Sequence, residues 1–122
     1  YKPFHLIGME LNISIFSAAL LNQSTGQTQT FSGDVVATSK RALKKGEILD
    51  GEGGATVWGK LIPVKDSLSN ETLPIGLAHG IKLNKDIKED QIITWKDVDY
   101  SSDDPTVSFR RSMEKNFRSL LD

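Results

Sequence analysis

Apolar positions along this chain follow three different rhythms. Near the start, Ile13 to Leu21 is apolar on nearly every side, broken only by Ser14 and Ser17, and Asn12 can cap its beginning. A short helix without a polar face normally lies against something on both sides. Residues 22–33, rich in Gln, Ser, Thr and Gly, read as a polar linker. Between about residues 34 and 100 the apolar residues come in short blocks that predict strands: Val35-Val36-Ala37, Ile48-Leu49, Ala55 to Leu61, and Ile92 to Trp95. Leu73-Pro74-Ile75-Gly76 predicts an irregular segment, because Pro and Gly break a ladder. Lys65 to Asn70 predicts a mobile polar connector. Near the end, Asp103-Asp104-Pro105 starts a helix whose stripe is Phe109, Met113, Phe117, Leu120 and Leu121. Arg110, Arg111, Glu114, Lys115 and Arg118 fall largely on its other faces.

Two of the middle blocks are weak copies of each other. Lys40 to Leu49 and Asn84 to Ile93 align at an offset of 44 residues, so Leu43 matches Ile87, Ile48 matches Ile92, and Leu49 matches Ile93. A polar turn separates the apolar anchors in each copy, Lys44-Lys45-Gly46 and Lys88-Glu89-Asp90. Such a phrase buries one apolar residue, reverses the chain, and returns a short strand to the core. The expectation is a mainly β body with a pseudo-two-fold internal repeat, in which Leu43 and Ile87, and likewise Ile48 and Ile92, occupy equivalent buried places. Asp90 stands where the first copy has Gly46, and Asp tolerates a left-handed turn at modest cost.

Composition limits the partners. The 122 residues suit one domain able to bury a real core. With 15 basic and 16 acidic residues the net charge is −1, which gives no electrostatic reason to expect nucleic acid or an anionic membrane. No apolar run approaches the length that spans a bilayer, and no signal peptide is visible. The absence of cysteine excludes disulfides and thiolate metal clusters, and fits a cytoplasmic location. The chain opens on Tyr1 rather than Met, which predicts that further sequence precedes it.

The β body offers few reactive constellations. Gly51-Glu52-Gly53-Gly54 is followed by a strand pattern, and Glu52 would repel phosphate, so a tight turn is expected rather than a phosphate loop. No Gly-x-Gly-x-x-Gly fingerprint occurs, so no dinucleotide site is expected within the chain. His79 has no second His or Cys nearby and reads as a surface or hydrogen-bonded residue, and no metal site is expected. Trp58 and Trp95 can stack on a sugar, but both sit in alternating strand patterns that favour a core role. Asn12, Asn22 and Asn70 each begin a glycosylation-type triplet, which has no consequence without export. The Lys44-Lys45 pair reads as a solvated turn.

The repeated phrase resembles the SAF domain shared by sialic acid synthases, type III antifreeze proteins and flagellar P-ring chaperones. Val35 through Leu49 matches its first phrase and Gly80 through Val98 its second. A broader resemblance rests on Tyr1 to Glu10, the helical stretch after it, Asp50-Gly51-Glu52-Gly53-Gly54, and Leu73-Pro74-Ile75-Gly76-Leu77-Ala78. These recur together in the C-terminal part of homoserine-dehydrogenase-like, NAD(P)-dependent oxidoreductases that carry a SAF domain. The resemblance implies a β-clip body at residues 34–100, a helical arm and linker at 1–33, and a C-terminal amphipathic helix at 101–122. It implies NAD(P) in the parent protein and none in this piece, with a missing N-terminal dinucleotide-binding and catalytic part as partner and a homo-oligomeric assembly. His5 and Glu10 are the candidates for general acid–base chemistry or divalent-ion binding in the full-length protein, beside a plainer role in capping or packing. Lys2 is the candidate contact for an anionic substrate. Two other readings stand beside it: a free-standing SAF module that binds carbohydrate or ice, and a structural oligomerisation domain.

Overall fold

The computed structural model describes residues 3–4, 6, 8–26 and 29–118. The chain divides into two compact units, residues 1–30 and 31–122. The first unit holds helix α1 (Leu11–Leu21). Its N-cap is Glu10, and the chain leaves through Asn22 in the left-handed conformation, with the Asn22 N–H bonded to the Ser17 carbonyl. Asn12 therefore lies inside the first turn instead of capping it. None of the α1 residues is buried.

The second unit is a small mixed domain, mainly β with flanking helices. Strands β1 (Gly33–Ser39) and β3 (Val57–Pro63) form an antiparallel pair in register from Gly33↔Pro63 to Ser39↔Val57. Strands β2 (Ile48–Asp50), β4 (His79–Leu83) and β5 (Val98–Asp99) form a second antiparallel sheet in the order β2-β4-β5. Helix α2 (Val64–Asn70) follows β3, and helix α3 (Pro105–Arg118) closes the unit. Ala37, Leu43, Leu49, Val57, Leu73, Leu83, Ile87 and Ile93 form the centre of the core, with Trp95, Val98 and Val107 at its α3 side.

The hydrogen bonds linking the two copied phrases come in pairs that survive exchange of each residue with the one 44 away. Leu43 N–H donates to the Ile87 carbonyl at 2.8 Å and Ile87 N–H to the Leu43 carbonyl at 2.9 Å. Gly46 N–H bonds to Leu83 O at 2.8 Å, as Asp90 N–H bonds to Ser39 O at 3.1 Å. Leu83 N–H bonds to Glu47 O, as Ser39 N–H bonds to Gln91 O. The Glu47 carboxylate accepts from Lys44 N–H at 3.1 Å, and the Gln91 amide oxygen from Lys88 N–H at 3.1 Å. Gly46 (φ 88°) and Asp90 (φ 57°) both take the left-handed conformation that this turn requires. Leu43, Ile87, Leu49 and Ile93 are all buried. Ile48 is not: it is 61% exposed while Ile92 is half-buried. In a strand, neighbours of inward residues point outward, so Leu49 and Ile93 take the core and Ile48 and Ile92 face away from it.

Three other expectations change. Lys65 to Asn70 is helix α2 and not a mobile connector: Val64 and Leu68, one turn apart, are buried, and Glu71 in the left-handed conformation closes the helix through its N–H. Ile92 to Trp95 is only partly extended, since single bridges at Ile92 and Thr94 give way to a 3₁₀ turn over Trp95–Asp97 closed by a Thr94–Asp97 capping box. Asp104 does start α3, its Oδ1 accepting from Thr106 N–H at 2.8 Å. However, α3 does not dock through the apolar stripe alone. Phe109 is 75% exposed, Met113 and Phe117 are half-buried, and Leu120 and Leu121 lie outside the described residues. The inward face carries Val107, Arg110, Glu114 and Phe117 instead. The cause is a buried charge: Asp34 on β1 is held by Arg110 Nη2 at 2.5 Å and by Ser67 Oγ at 2.5 Å.

Candidate functional site

One segment that carried the family resemblance packs against the residue that follows another. The loop after β2, Asp50 to Gly54, packs on His79 at the head of β4, directly after Leu73 to Ala78. Gly51 has φ +75°, and a Cβ there would come within 2.9 Å of the His79 Cβ, so the close approach requires glycine. The His79 Nδ1 lies 3.0 Å from the Asp50 carbonyl oxygen. A carbonyl only accepts, so Nδ1 carries the proton and Nε2 is the ring nitrogen left free for a ligand.

The loop itself is held from inside. The Asp50 carboxylate accepts from the Thr56 hydroxyl, from Ala55 N–H at 2.6 Å and from Thr56 N–H at 3.0 Å. The Thr56 hydroxyl bond, followed by the Ala55 and Thr56 amides, lowers the Asp50 pKa to about 2. Asp50 is thus a fixed anion that shapes the turn through three accepted hydrogen bonds, and is unsuited to proton transfer at neutral pH. The Lys40 ammonium adds a hydrogen bond to the Gly54 carbonyl.

Beside this loop lies a cleft of about 340 Å³ lined by His79, Gly80, Asp99, Tyr100, Ser101 and Asp104, among others. Its groups can accept and donate hydrogen bonds, but the Asp104 Oδ1 is already committed to the N–H groups that open α3. Among the described residues no group of three or more His, Cys, Asp or Glu side chains converges to hold a metal ion.

The sequence-derived site residues fall elsewhere. His5 and Lys2 lie outside the described residues. Glu10 is half-buried at the N-terminus of α1, where its Oε1 accepts from Leu6 N–H at 3.4 Å. The tryptophans separate. Trp95 is buried to 3% exposure, its Nε1 donating to Glu114 Oε1 at 3.4 Å and its ring stacked edge-on against Tyr100. Trp58 is 39% exposed on β3, so the core role expected of both holds for one. An antiparallel sheet covered on one side leaves its other face in water, and alternation alone does not say which residues face it. No protein-family model matches this chain, and neither does any curated protein. Among the described residues no helix is long and apolar enough to cross a membrane.

Proposed function

We propose that residues 34–100 form a SAF-type β-clip and that the chain is the C-terminal accessory part of a homoserine-dehydrogenase-like, NAD(P)-dependent oxidoreductase of the cytoplasm. The observation that carries this reading is the exchange-related set of hydrogen bonds around Leu43 and Ile87, with Gly46 and Asp90 at matching turns. The packing of the Asp50–Gly54 loop on His79 supports it, because that loop and the Leu73–Ala78 segment that His79 follows both belong to the resemblance. In the intact protein the reaction is hydride transfer between NAD(P)H and a small polar carbonyl or hydroxyl substrate. The dinucleotide site lies in the missing part, since the sequence has no glycine fingerprint. This part helps close the substrate site or builds the homo-oligomer, and α1, apolar all round and unburied, is the surface offered to the catalytic part.

Calorimetric titration of the chain with NADPH tests the division of labour. No saturable heat is expected up to millimolar cofactor, whereas a longer chain that includes the preceding segment binds it. Micromolar binding by this chain alone would overturn the proposal, as would a preceding segment without a dinucleotide fingerprint.

A further inference from the structure

A second cleft, which shares Tyr100 with the one beside His79, lies between the segment that follows β5 and one flank of α3. Its volume is about 370 Å³, and its polar lining is Tyr100 and Ser102 from the segment and Ser108, Arg111, Ser112 and Lys115 from the helix. Ser108, Ser112 and Lys115 are spaced by four and three residues, which puts them on one face of the helix. The hydroxyls of Tyr100, Ser102, Ser108 and Ser112 and the Lys115 ammonium make no hydrogen bond or ion pair among the described residues. Serine is a poor residue for a helix interior, and one placed there often bonds the carbonyl one turn back. Ser108 and Ser112 make no such bond and line the cleft instead. Arg111 is half-buried and held in place. Its Nη1 donates to Glu114 Oε2 at 2.7 Å, and its Cζ lies 5.3 Å from the Trp95 ring centre. Its Nη2 is 3.8 Å from Glu71 Oε1, beyond hydrogen-bond distance, and so keeps its donors free. No carboxylate lines the cleft. Glu114, behind Arg111, has Oε1 taken by Arg110 and Trp95 and Oε2 by Arg111.

We propose that this cleft binds a small phosphate monoester, with Lys115 and Arg111 opposing its charge and the four hydroxyls donating to its oxygens. The phosphoryl group is nearly a dianion at neutral pH, and its three terminal oxygens are strong acceptors. The lining is matched to that demand: two cations and four hydroxyls, with no acid to repel the ligand. Arg110 and Arg111 already balance Asp34 and Glu114, so the uncompensated charge is that of Lys115. Hydrogen bonds from a cation to a phosphate oxygen are shorter and stronger than neutral ones. A carboxylate has only two oxygens in one plane, whereas the donors here stand on two separate elements. Val107 and the Tyr100 ring supply apolar surface for the organic part of an ester. The assignment is independent of the oxidoreductase reading, because it uses only residues of the second unit.

The test is amide-shift NMR of the chain at constant ionic strength, titrated with methyl phosphate and glycerol phosphate. Orthophosphate is the free-ion arm, and acetate, chloride and glycerol are the controls. Saturable shifts at Tyr100 to Ser102 and Ser108 to Lys115 are expected for the esters in the millimolar range, with orthophosphate weaker and the controls without effect. Lys115→Met should weaken ester binding about tenfold and leave thermal unfolding unchanged, because that ammonium holds no other group. Ser112→Ala should weaken it about threefold while leaving the Tm unchanged or higher, since alanine is the better helix former. Four outcomes would overturn the proposal: no saturable shift up to about 100 mM ester, binding that survives Lys115→Met, orthophosphate bound as tightly as the esters, or acetate bound as tightly as either.

Discussion

Arg110 is the side chain whose removal should cost this domain most. Its guanidinium bridges two buried carboxylates, with Nη2 2.5 Å and Nη1 3.2 Å from Asp34 and Nε 2.7 Å from Glu114 Oε1, and its Cζ lies 5.2 Å from the Phe31 ring centre. Burial alone would lower its pKa, but the hydrogen bonds to Asp34 and Glu114 outweigh that and hold it above the ordinary value. Arg110→Ala leaves two carboxylates in the interior facing each other across the gap. Stranding one partner of a buried pair costs about 3–5 kcal/mol. Ser67 still donates to Asp34, and Arg111 still holds Glu114 Oε2 at 2.7 Å, which puts the loss near the lower end, about 3 kcal/mol. For a unit of this size that lowers Tm by roughly 12–24 °C. Thermal unfolding followed by circular dichroism reads it directly, and a double-mutant cycle with Asp34→Asn should return a coupling of about 1–3 kcal/mol. Because the pair is buried, the coupling should persist in high salt. A loss below about 1 kcal/mol with no coupling would mean that the clamp behaves as a solvated surface pair, and that apolar contacts alone hold α3.

The two left-handed turns should respond oppositely to glycine: Asp90→Gly should be neutral or stabilising, whereas Gly46→Ala should cost about 1–2 kcal/mol, measured by urea denaturation. Equal responses would mean that the turns are not conformationally equivalent. Phe109→Asp should leave the Tm within about 1 °C, because the ring is in water, and, if the proposed homo-oligomer forms through this face, should give a monomer by light scattering. Phe117→Ala should instead destabilise by about 1–3 kcal/mol through the lost edge-on contact with Phe31; an oligomer that survives Phe109→Asp shows that this face is not the interface. Asp50 has its pKa lowered from 3.8 to about 2, so its contribution is fully present above about pH 4 and is lost as the pH falls towards 2. Asp50→Asn should therefore be less stable than the parent at pH 7 and approach it below pH 3, and a stability difference independent of pH would refute the role of the carboxylate.

What the sequence made legible was local. The copied phrases carry their own turn chemistry, an aliphatic anchor, a left-handed position and a side-chain acceptor three residues on, so their contacts follow from residues close in the chain. Asp104 and Pro105 likewise start α3 by themselves. The misses required knowledge of what lies opposite. The inward face of α3 carries arginine and glutamate because Asp34, 76 residues from Arg110, is buried beneath it. No periodicity rule places a guanidinium inside. Helix α2 looked like a connector because its seven residues offer only two apolar side chains, and burial of those two by β1 and β3 is a tertiary effect. Trp58 and Trp95 are indistinguishable by alternation; they part because Trp58 stays on β3 of the two-stranded sheet, whereas Trp95 enters a 3₁₀ turn beneath Glu114 and Tyr100.

The two halves diverge where the concavities lie, and the divergence has a structural cause. Thr38 on β1 pairs on one side with Ile92 and on the other with Trp58. Its counterpart in the other half, Lys82 on β4, pairs with Ile48 and with Asp99. The frame is the same, but β3 runs seven residues and continues into α2, whereas β5 stops after two. The long strand and its helix raise a wall beside Ile92 that Ile48 lacks, which is why one isoleucine is half-buried and the other exposed. The same wall, carrying Lys60, Ile62, Asp66 and Asn70, lines a groove of about 620 Å³. On the short side the space left beside β5 is taken by the segment leading into α3, and the cleft by His79 forms there. The repeated hydrogen bonds thus supply a rigid core that tolerates unequal additions, and each addition creates its own concavity. Shortening β3 towards the length of β5 should therefore erase the groove and leave the Leu43–Ile87 bonds in place, since those depend only on the phrases they join.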